Sequence, residues 1–159
     1  MKVINTVLPT QTQFQDFFGH PEDGPFVMVN LLKFKEKAEY DDGSDAHLSG
    51  REAYARYGAV VTGLIEALGG RIRYTGAVTG LLLGEVEDLW DAVALAEYPS
   101  LAAFQAMAVS PEMHAIERHR KAGLAGQLNI RTRPGPGFES RGLDEAERLW
   151  KPELADAVN

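Results

Sequence analysis

Apolar residues fill most of the segment 25–34, PFVMVNLLKF, which follows a Gly-Pro break and has the length of a strand. Because successive side chains of a strand point to opposite sides, this run has two faces. One face holds Phe26, Met28, Asn30, Leu32 and Phe34, and the other holds Val27, Val29, Leu31 and Lys33. Asn30 is therefore a polar side chain on an otherwise apolar face.

A helical pattern covers residues 50–68, where apolar side chains recur every three or four positions. Ser49 and Glu52 have the spacing of a capping box at its start, and Gly69 and Gly70 end it. Shorter patterns predict three further helices, which begin after Thr10, Ser100 and Ser110.

Three more segments have the composition of strands: residues 71–83, residues 89–98 and residues 124–132. A tight turn at residues 84–88 joins the first two. Strand, helix and strand thus follow one another twice along the chain. This order predicts an α+β fold, a ferredoxin-like split βαβ sandwich with a four-stranded antiparallel sheet.

The same pattern divides the chain into three parts. Residues 1–24 form an N-terminal strand/helix extension, residues 25–133 form the domain, and a Pro-Gly-rich linker opens the C-terminal tail, residues 134–159. Right-handed crossovers place the helices on one face of the sheet and leave the other apolar face open. A second copy of the chain would cover it, so we predict a homodimer through the open sheet face.

Composition narrows the class of protein without naming a reaction. The 159 residues are 45% hydrophobic and 25% charged, which fits one globular domain. The net charge of -7 argues against nucleic-acid and anionic-membrane partners, and no apolar run is long enough to span a bilayer. The first residues lack the apolar core of a signal peptide, so a cytoplasmic location is expected. Cysteine is absent, which excludes thiolate chemistry, and we predict no metal and no cofactor.

Several blocks in order, among them VMVNLLKFK, GREAYARYG, LIEALGGRIRYTG, WDAVALAEYPSLAAFQAM and HRKAGLAGQLNI, resemble the uncharacterised domain family DUF1330 of the dimeric α+β barrel superfamily. The resemblance covers about residues 25–133 and implies a homodimer in which two sheets face one another and close a barrel. The superfamily includes cofactor-free monooxygenases, haem-degrading enzymes, chlorite dismutases and lactone isomerases. DUF1330 itself carries no established reaction, so activity transfers only by analogy.

Asn30 is the first candidate for a catalytic residue. Its amide would line a pocket and hold a substrate carbonyl or dioxygen, and the resemblance to haem-degrading relatives implies a functional asparagine on the first strand. The alternative is a buried amide that satisfies neighbouring backbone groups. An unpaired buried amide costs about 1–3 kcal/mol, so both interpretations require partners for it.

Aromatic side chains are the main candidates for substrate binding. Trp90 and Tyr98 share one face of the predicted third strand, and the alanines between them leave room for a flat ligand. The alternative for both is core packing against a helix. Tyr54, Tyr57 and Tyr74 are expected to converge where the long helix meets the second strand. There a phenol would hydrogen-bond a substrate oxygen or, alternatively, point to water.

Arginines on the second strand offer a further binding site. Arg71 and Arg73 are predicted to lie on one face of that strand, where they would bind a carboxylate ligand. The alternative is an ion pair across the strands with Glu97 or Asp91. We favour the ion pair.

His114 and His119 are the candidates for a proton carrier. The alternative, which we favour, is that they are solvated or lie in the dimer interface. Five residues of helix turn them about 140° apart, so one metal cannot take both from one face. In register with the haem-degrading relatives, the axial histidine of those proteins falls nearest Glu117 of this chain. This departure argues against haem ligation.

Three hypotheses follow for the function. In the first, each subunit of the dimer has a small-molecule pocket, and the protein is a cofactor-independent oxygenase-like or isomerase-like enzyme acting on an apolar or aromatic metabolite. Asn30 would orient the substrate, Trp90 and Tyr98 would stack on it, and a histidine would carry the proton. The second hypothesis is a non-catalytic binding or accessory protein on the same fold, and the third is a haem-binding protein.

Overall fold

The structure, a computed structural model, describes residues 2–19 and 24–133. These residues form four helices and four strands. In chain order they are α1 (Gln11–Phe18), β1 (Phe26–Phe34), α2 (Gly50–Ala67), β2 (Arg71–Ala77), β3 (Ala92–Tyr98), α3 (Leu101–Ala108), α4 (Pro111–Gly123) and β4 (Leu124–Thr132). The pattern of the sequence predicts each of these elements. Their bounds differ from the prediction at the connection between β2 and β3.

The sheet has the strand order β2-β3-β1-β4, with β1 in its interior. β1 pairs antiparallel with both β3 and β4, and β2 pairs antiparallel with β3. Two strand-helix-strand units therefore interleave in one antiparallel sheet. The predicted α+β ferredoxin-like fold is confirmed.

The helices cover one face of the sheet, which we call the helix-facing side. Phe26 and Met28 of β1 and Ala96 and Tyr98 of β3 are buried there against helix residues such as Ile65. The alternation along residues 25–34 predicts this side correctly for β1.

The N-terminal extension packs on the domain. Phe17 and Phe18 of α1 lie against the main core, and Thr6 forms an isolated antiparallel bridge with Gln127 of β4. The domain boundary at residue 24 stays a prediction. The predicted linker and tail, residues 134–159, lie outside the described residues.

Two glycines allow the start of α2 and the end of α4 to approach the chain that leaves β1. Lys35 N–H donates to Gly123 O at 2.9 Å, and Gly50 N–H donates to Lys35 O at 3.2 Å. A Cβ added at Gly50 would lie 2.5 Å from Gly123 O and closer still to Lys35 O. Glycine is therefore required at this crossing. We call it the glycine crossing.

The connection between β2 and β3 is longer than the sequence pattern predicts. The pattern extends β2 to residue 83 and begins β3 at residue 89, whereas β2 ends at Ala77 and β3 begins at Ala92. Lys33 Nζ donates to Leu89 O at 2.9 Å and pairs with Asp88 Oδ1 at 2.7 Å. Val78 N–H still donates to Asp91 O at 3.0 Å, and the residues between these two form a loop that the Lys33 contacts attach to β1.

A β-bulge in β2 changes which side its residues face. The register shifts between Ile72 and Tyr74, so Ile72 pairs with Ala96 whereas Tyr74 pairs with Leu95. Partners in antiparallel strands share a face, and Leu95 lies opposite the buried Ala96. Tyr74 therefore lies on the face away from the helices, which corrects the prediction that it converges with Tyr54 and Tyr57.

The face of the sheet away from the helices, here called the open face, is rich in aliphatic side chains. They come from three strands: Val27, Val29 and Leu31 of β1, Val93 and Leu95 of β3, and Leu128 and Ile130 of β4. Ile130 is 46% exposed and Tyr74 is 53% exposed. Among the helices of the described residues, none is long and apolar enough to cross a membrane.

Candidate functional site

Three tyrosines on the helix-facing side of the sheet are near enough for their charges to act on one another's pKa values. Tyr54 and Tyr57 lie one turn apart on α2 with ring centroids 5.4 Å apart, and Tyr98 ends β3. Phe34 lies 5.4 Å from Tyr54, and Phe26 stacks on Tyr98 at 5.3 Å. We call Tyr54, Tyr57 and Tyr98 the tyrosine cluster.

The phenol groups of the tyrosine cluster are protonated at neutral pH and lack hydrogen-bond partners among the described residues. None of the three oxygens makes a hydrogen bond within residues 2–19 and 24–133. Burial, partly offset by the Arg120 guanidinium, raises the pKa of Tyr54 to about 12, and burial also raises the pKa of Tyr57 and of Tyr98. At neutral pH each phenol is therefore a hydrogen-bond donor and not a phenolate base.

An ion pair on α4 borders the tyrosine cluster. Arg120 Nη1 lies 2.7 Å from Glu117 Oε1, and the two side chains are 14% and 24% exposed. Arg120 Nη2 also donates to Val7 O at 2.8 Å and to Gln127 Oε1 at 2.9 Å. The charges of Arg120 and Glu117 both act on the pKa of Tyr54, which places the pair beside the phenols.

Asn30 belongs to the same network of hydrogen bonds. Its Nδ2 donates to Met28 O at 3.2 Å and to Ala94 O at 3.1 Å, and its Oδ1 accepts from Gln127 Nε2 at 3.1 Å. Gln127 in turn contacts Arg120, so a chain of hydrogen bonds connects β1 to α4. Both amide hydrogens are already used, which favours the interpretation of Asn30 as a satisfied structural amide.

Trp90 lies outside β3, because the strand begins at Ala92. Its indole N–H donates to Asn5 Oδ1 at 2.8 Å. Trp90 and Tyr98 therefore do not share a strand, and that prediction is wrong. Trp90 is the second residue before β3, in the loop whose residues 88 and 89 contact Lys33.

Neither Arg73 nor Tyr74, both on β2, reaches the tyrosine cluster. The Tyr74 ring lies over Gly76, on the open face. Arg71 Nε lies 3.2 Å from Glu97 Oε2, and Arg73 Nε pairs with the same oxygen. The bulge lets both arginines reach one carboxylate. The favoured ion pair is thus present.

The two candidate histidines lie away from the tyrosine cluster. His119 Nδ1 is 2.7 Å from the Tyr40 hydroxyl, beside a small cluster that contains Ala53 and Ala122. Burial and the Arg118 guanidinium lower the pKa of His119. His114 is exposed on α4. The structure does not bring either histidine to Asn30 or to the three phenols.

A surface pocket of about 250 Å³ lies beside Tyr40, separate from the tyrosine cluster. Its lining is mostly charged and consists of Glu39, Tyr40, Asp41, Asp42, Arg118, Lys121 and Ala122. Arg118 is held there by Asp42 at 2.8 Å and by Ser44 at 3.0 Å. Within the described ranges, no three His, Cys, Asp or Glu side chains are arranged to hold a metal ion.

The sequence alone did not single out Arg120, which acts on the pKa of Tyr54, or Gln127, to which Arg120 donates. One signal pointed to them: Gln127, Asn129 and Arg131 alternate along β4, opposite aliphatic neighbours. Their partners in β1 are the helix-facing residues, so the side of β4 that meets the helices is polar. A polar stripe on the covered face of a strand requires partners, and Arg120 and Asn30 supply them.

Comparison with known proteins agrees with the fold of this chain. Residues 44–131 match the family described as domain of unknown function (DUF1330), which confirms the resemblance found from the sequence blocks. A crystal structure of the methylated RPA0582 protein is 36% identical, covers 84% of this chain and 98% of its own, and has a TM-score of 0.77. A second RPA0582 structure, described as a protein of unknown function from Rhodopseudomonas palustris, is 34% identical over 83% of this chain and 98% of its own, with a TM-score of 0.75. None of the curated proteins matches this chain.

Proposed function

This chain belongs to the DUF1330 family, and on that premise we propose that it binds an uncharged small molecule at the tyrosine cluster. The ligand would have an apolar, preferably aromatic body and at least one carbonyl oxygen. The observation that carries this proposal is the set of three neighbouring phenols whose oxygens have no hydrogen-bond partner in the described part of the chain.

The charges around the tyrosine cluster support an uncharged ligand. Glu117 and Arg120 neutralise one another at 2.7 Å, and the raised pKa of each phenol keeps it neutral. Arg120 already donates to three acceptors, so an anionic ligand would face the Glu117 carboxylate without a free cation opposite it. A carbonyl oxygen needs only donors, and the phenols supply them.

The body of the ligand would rest on aromatic rings. Phe104 lies 4.7 Å from Tyr98, and Phe26 and Phe34 border the cluster on the strand side. Apolar walls with a few converging polar groups are typical of small-molecule sites. Phenol donors aimed at a carbonyl would also stabilise negative charge that develops on its oxygen, as an isomerase-like or oxygenase-like reaction requires.

Binding without reaction is the second candidate function. It is favoured by the position of the histidines, because His114 and His119 both lie away from the phenols and the carboxylate beside them is paired with Arg120. A reaction that moves a proton would need a base at the ligand. The haem-binding alternative also loses support, because Glu117 occupies the position that corresponds to the axial histidine of the haem-degrading relatives.

Three naphthalenes of similar shape test the ligand proposal. We expect 2-acetylnaphthalene to raise the melting temperature of the protein. The other two compounds should raise it less, because 2-ethylnaphthalene lacks the acceptor and 2-naphthoate carries a charge. A ligand at 100 times its Kd stabilises the folded protein by about 2.7 kcal/mol. Three single variants, Tyr54→Phe, Tyr57→Phe and Tyr98→Phe, should each bind the ketone more weakly by about tenfold or less, because each loses one hydrogen bond to it.

Tyr74→Phe is the matched control, since Tyr74 lies on the open face and should leave binding unchanged. The phenylalanine variants should keep their stability, because the hydroxyls that they lose have no partner in the described residues. Tighter binding of 2-naphthoate than of the ketone, or equal binding by all four variants, would contradict the proposal.

We also propose that two copies pair through their open faces. A single layer of helices leaves the aliphatic side chains of β1, β3 and β4 without cover, and burial of apolar area drives association. Light scattering should give a mass near twice 17.4 kDa at micromolar concentration. Ile130→Glu should give a monomer, and Val109→Glu, at a 58% exposed position on the helical side, should not.

A further inference from the structure

Three consecutive leucines stand exposed in the loop between β2 and β3. Leu82 and Leu83 are almost wholly exposed and Leu81 is 49% exposed. Such a cluster on a loop tip costs free energy in water and marks an interaction surface. We call residues 81–83 the leucine tip.

The loop that carries the leucine tip is attached to the open face. Lys33 lies on that face beside Leu31, and its Nζ contacts Asp88 Oδ1 at 2.7 Å, Asp91 Oδ1 at 3.5 Å and Leu89 O at 2.9 Å. The base of the loop is therefore fixed at the end of the open face, and the leucine tip precedes that base by five to seven residues.

The charges next to the leucine tip select among partners. Glu85, Glu87 and Asp88 follow it within five residues. Anionic lipid and nucleic acid would be repelled by this surface. An aliphatic protein surface would not, and the open face of a second copy is one.

We propose that the leucine tip is an arm that packs on the second copy of this chain, and this inference rests on the proposed homodimer. Each copy would bury its own arm on its partner, because a two-fold dimer presents the same surfaces twice. The arm then belongs to the dimer interface and adds to the contact between the open faces.

Cross-linking from a single cysteine tests the arm directly, since the natural chain has none. Leu82→Cys is labelled with a benzophenone maleimide, and 15N-labelled and unlabelled protein are mixed, equilibrated and irradiated. We expect cross-linked peptides that join a labelled chain to an unlabelled one. Cross-links confined to one chain, for example to residues 134–159, would overturn the inference.

A second measurement does not depend on cross-linking. The double variant Leu82→Ser, Leu83→Ser should weaken dimerisation by at least about tenfold in dilution experiments, because two apolar side chains per copy lose their burial. Val109→Ser is the control and should leave the dimer unchanged. An unchanged dimer in the double variant would overturn the arm alone. A monomeric natural protein would overturn the homodimer together with the arm. Binding to phosphatidylcholine vesicles that depends on the leucines would show that the leucine tip contacts a lipid surface and not a second copy of the chain, which would also overturn the arm.

Discussion

Gly50→Ala will destabilise the protein by about 3 kcal/mol or more, because the new methyl group would collide with backbone on two sides of the glycine crossing. It would lie 2.5 Å from Gly123 O and closer still to Lys35 O. Overpacking costs about 1–3 kcal/mol where side chains give way, and here carbonyl groups would have to move. Urea unfolding followed by circular dichroism measures the change.

The control is the same glycine-to-alanine substitution at another position of α2. Gly63 also lies in α2, is exposed, and has nothing within 4 Å of an added Cβ. Gly63→Ala should therefore stabilise the protein by about 1 kcal/mol through its helix propensity. If both variants shift stability in the same direction, close packing at the glycine crossing is not what fixes glycine at position 50.

Arg120→Met should cost about 3 kcal/mol, since it leaves the Glu117 carboxylate, Val7 O and Gln127 Oε1 without their donor. Removing one partner of a largely buried ion pair destabilises far more than the pair itself contributes. Unfolding in urea at neutral pH gives the value. Adding Glu117→Gln to Arg120→Met should recover part of the loss, because the unpaired charge is then gone.

Arg118→Met is the matched control for Arg120→Met. Its ion pair with Asp42 has nearly the same separation, 2.8 Å against 2.7 Å, but its side chains are 50% and 55% exposed. Exposed pairs contribute about 0–1 kcal/mol. Equal losses of unfolding free energy in Arg118→Met and Arg120→Met would show that burial is not what makes the Arg120–Glu117 pair stabilising.

The elements of the fold could be predicted because their signals are local. Thr10, Ser49, Ser100 and Ser110 each cap a helix, and in each case the side chain accepts a hydrogen bond from the backbone N–H three residues on. Such caps depend on four neighbouring residues and on nothing distant. The apolar alternation in β1 likewise names the residues that meet the helices.

The candidate site was only partly predictable, because it depends on contacts distant in sequence. Tyr54 and Tyr57 are correctly placed together by their helical spacing, whereas one bulge carries Tyr74 to the other side of the sheet. Trp90 lies in a loop that is attached at Leu89 O to Lys33, nearly sixty residues earlier in the chain. Tyr98 joins the phenols through the pairing of β3 with β1, which no local pattern contains.

The two outer strands determine how this sheet avoids uncontrolled growth. Thr6 exchanges backbone hydrogen bonds with Gln127 at 3.3 and 2.9 Å, so the N-terminal segment occupies part of the β4 edge. On the other edge, the bulge between Ile72 and Tyr74 breaks the regular row of amides in β2, and Arg71 adds an exposed charge. Edges interrupted in this way are poor templates for a further strand. A chain with an aliphatic sheet face is thereby steered away from fibrils built edge to edge, and the proposed face-to-face dimer would be a closed assembly instead.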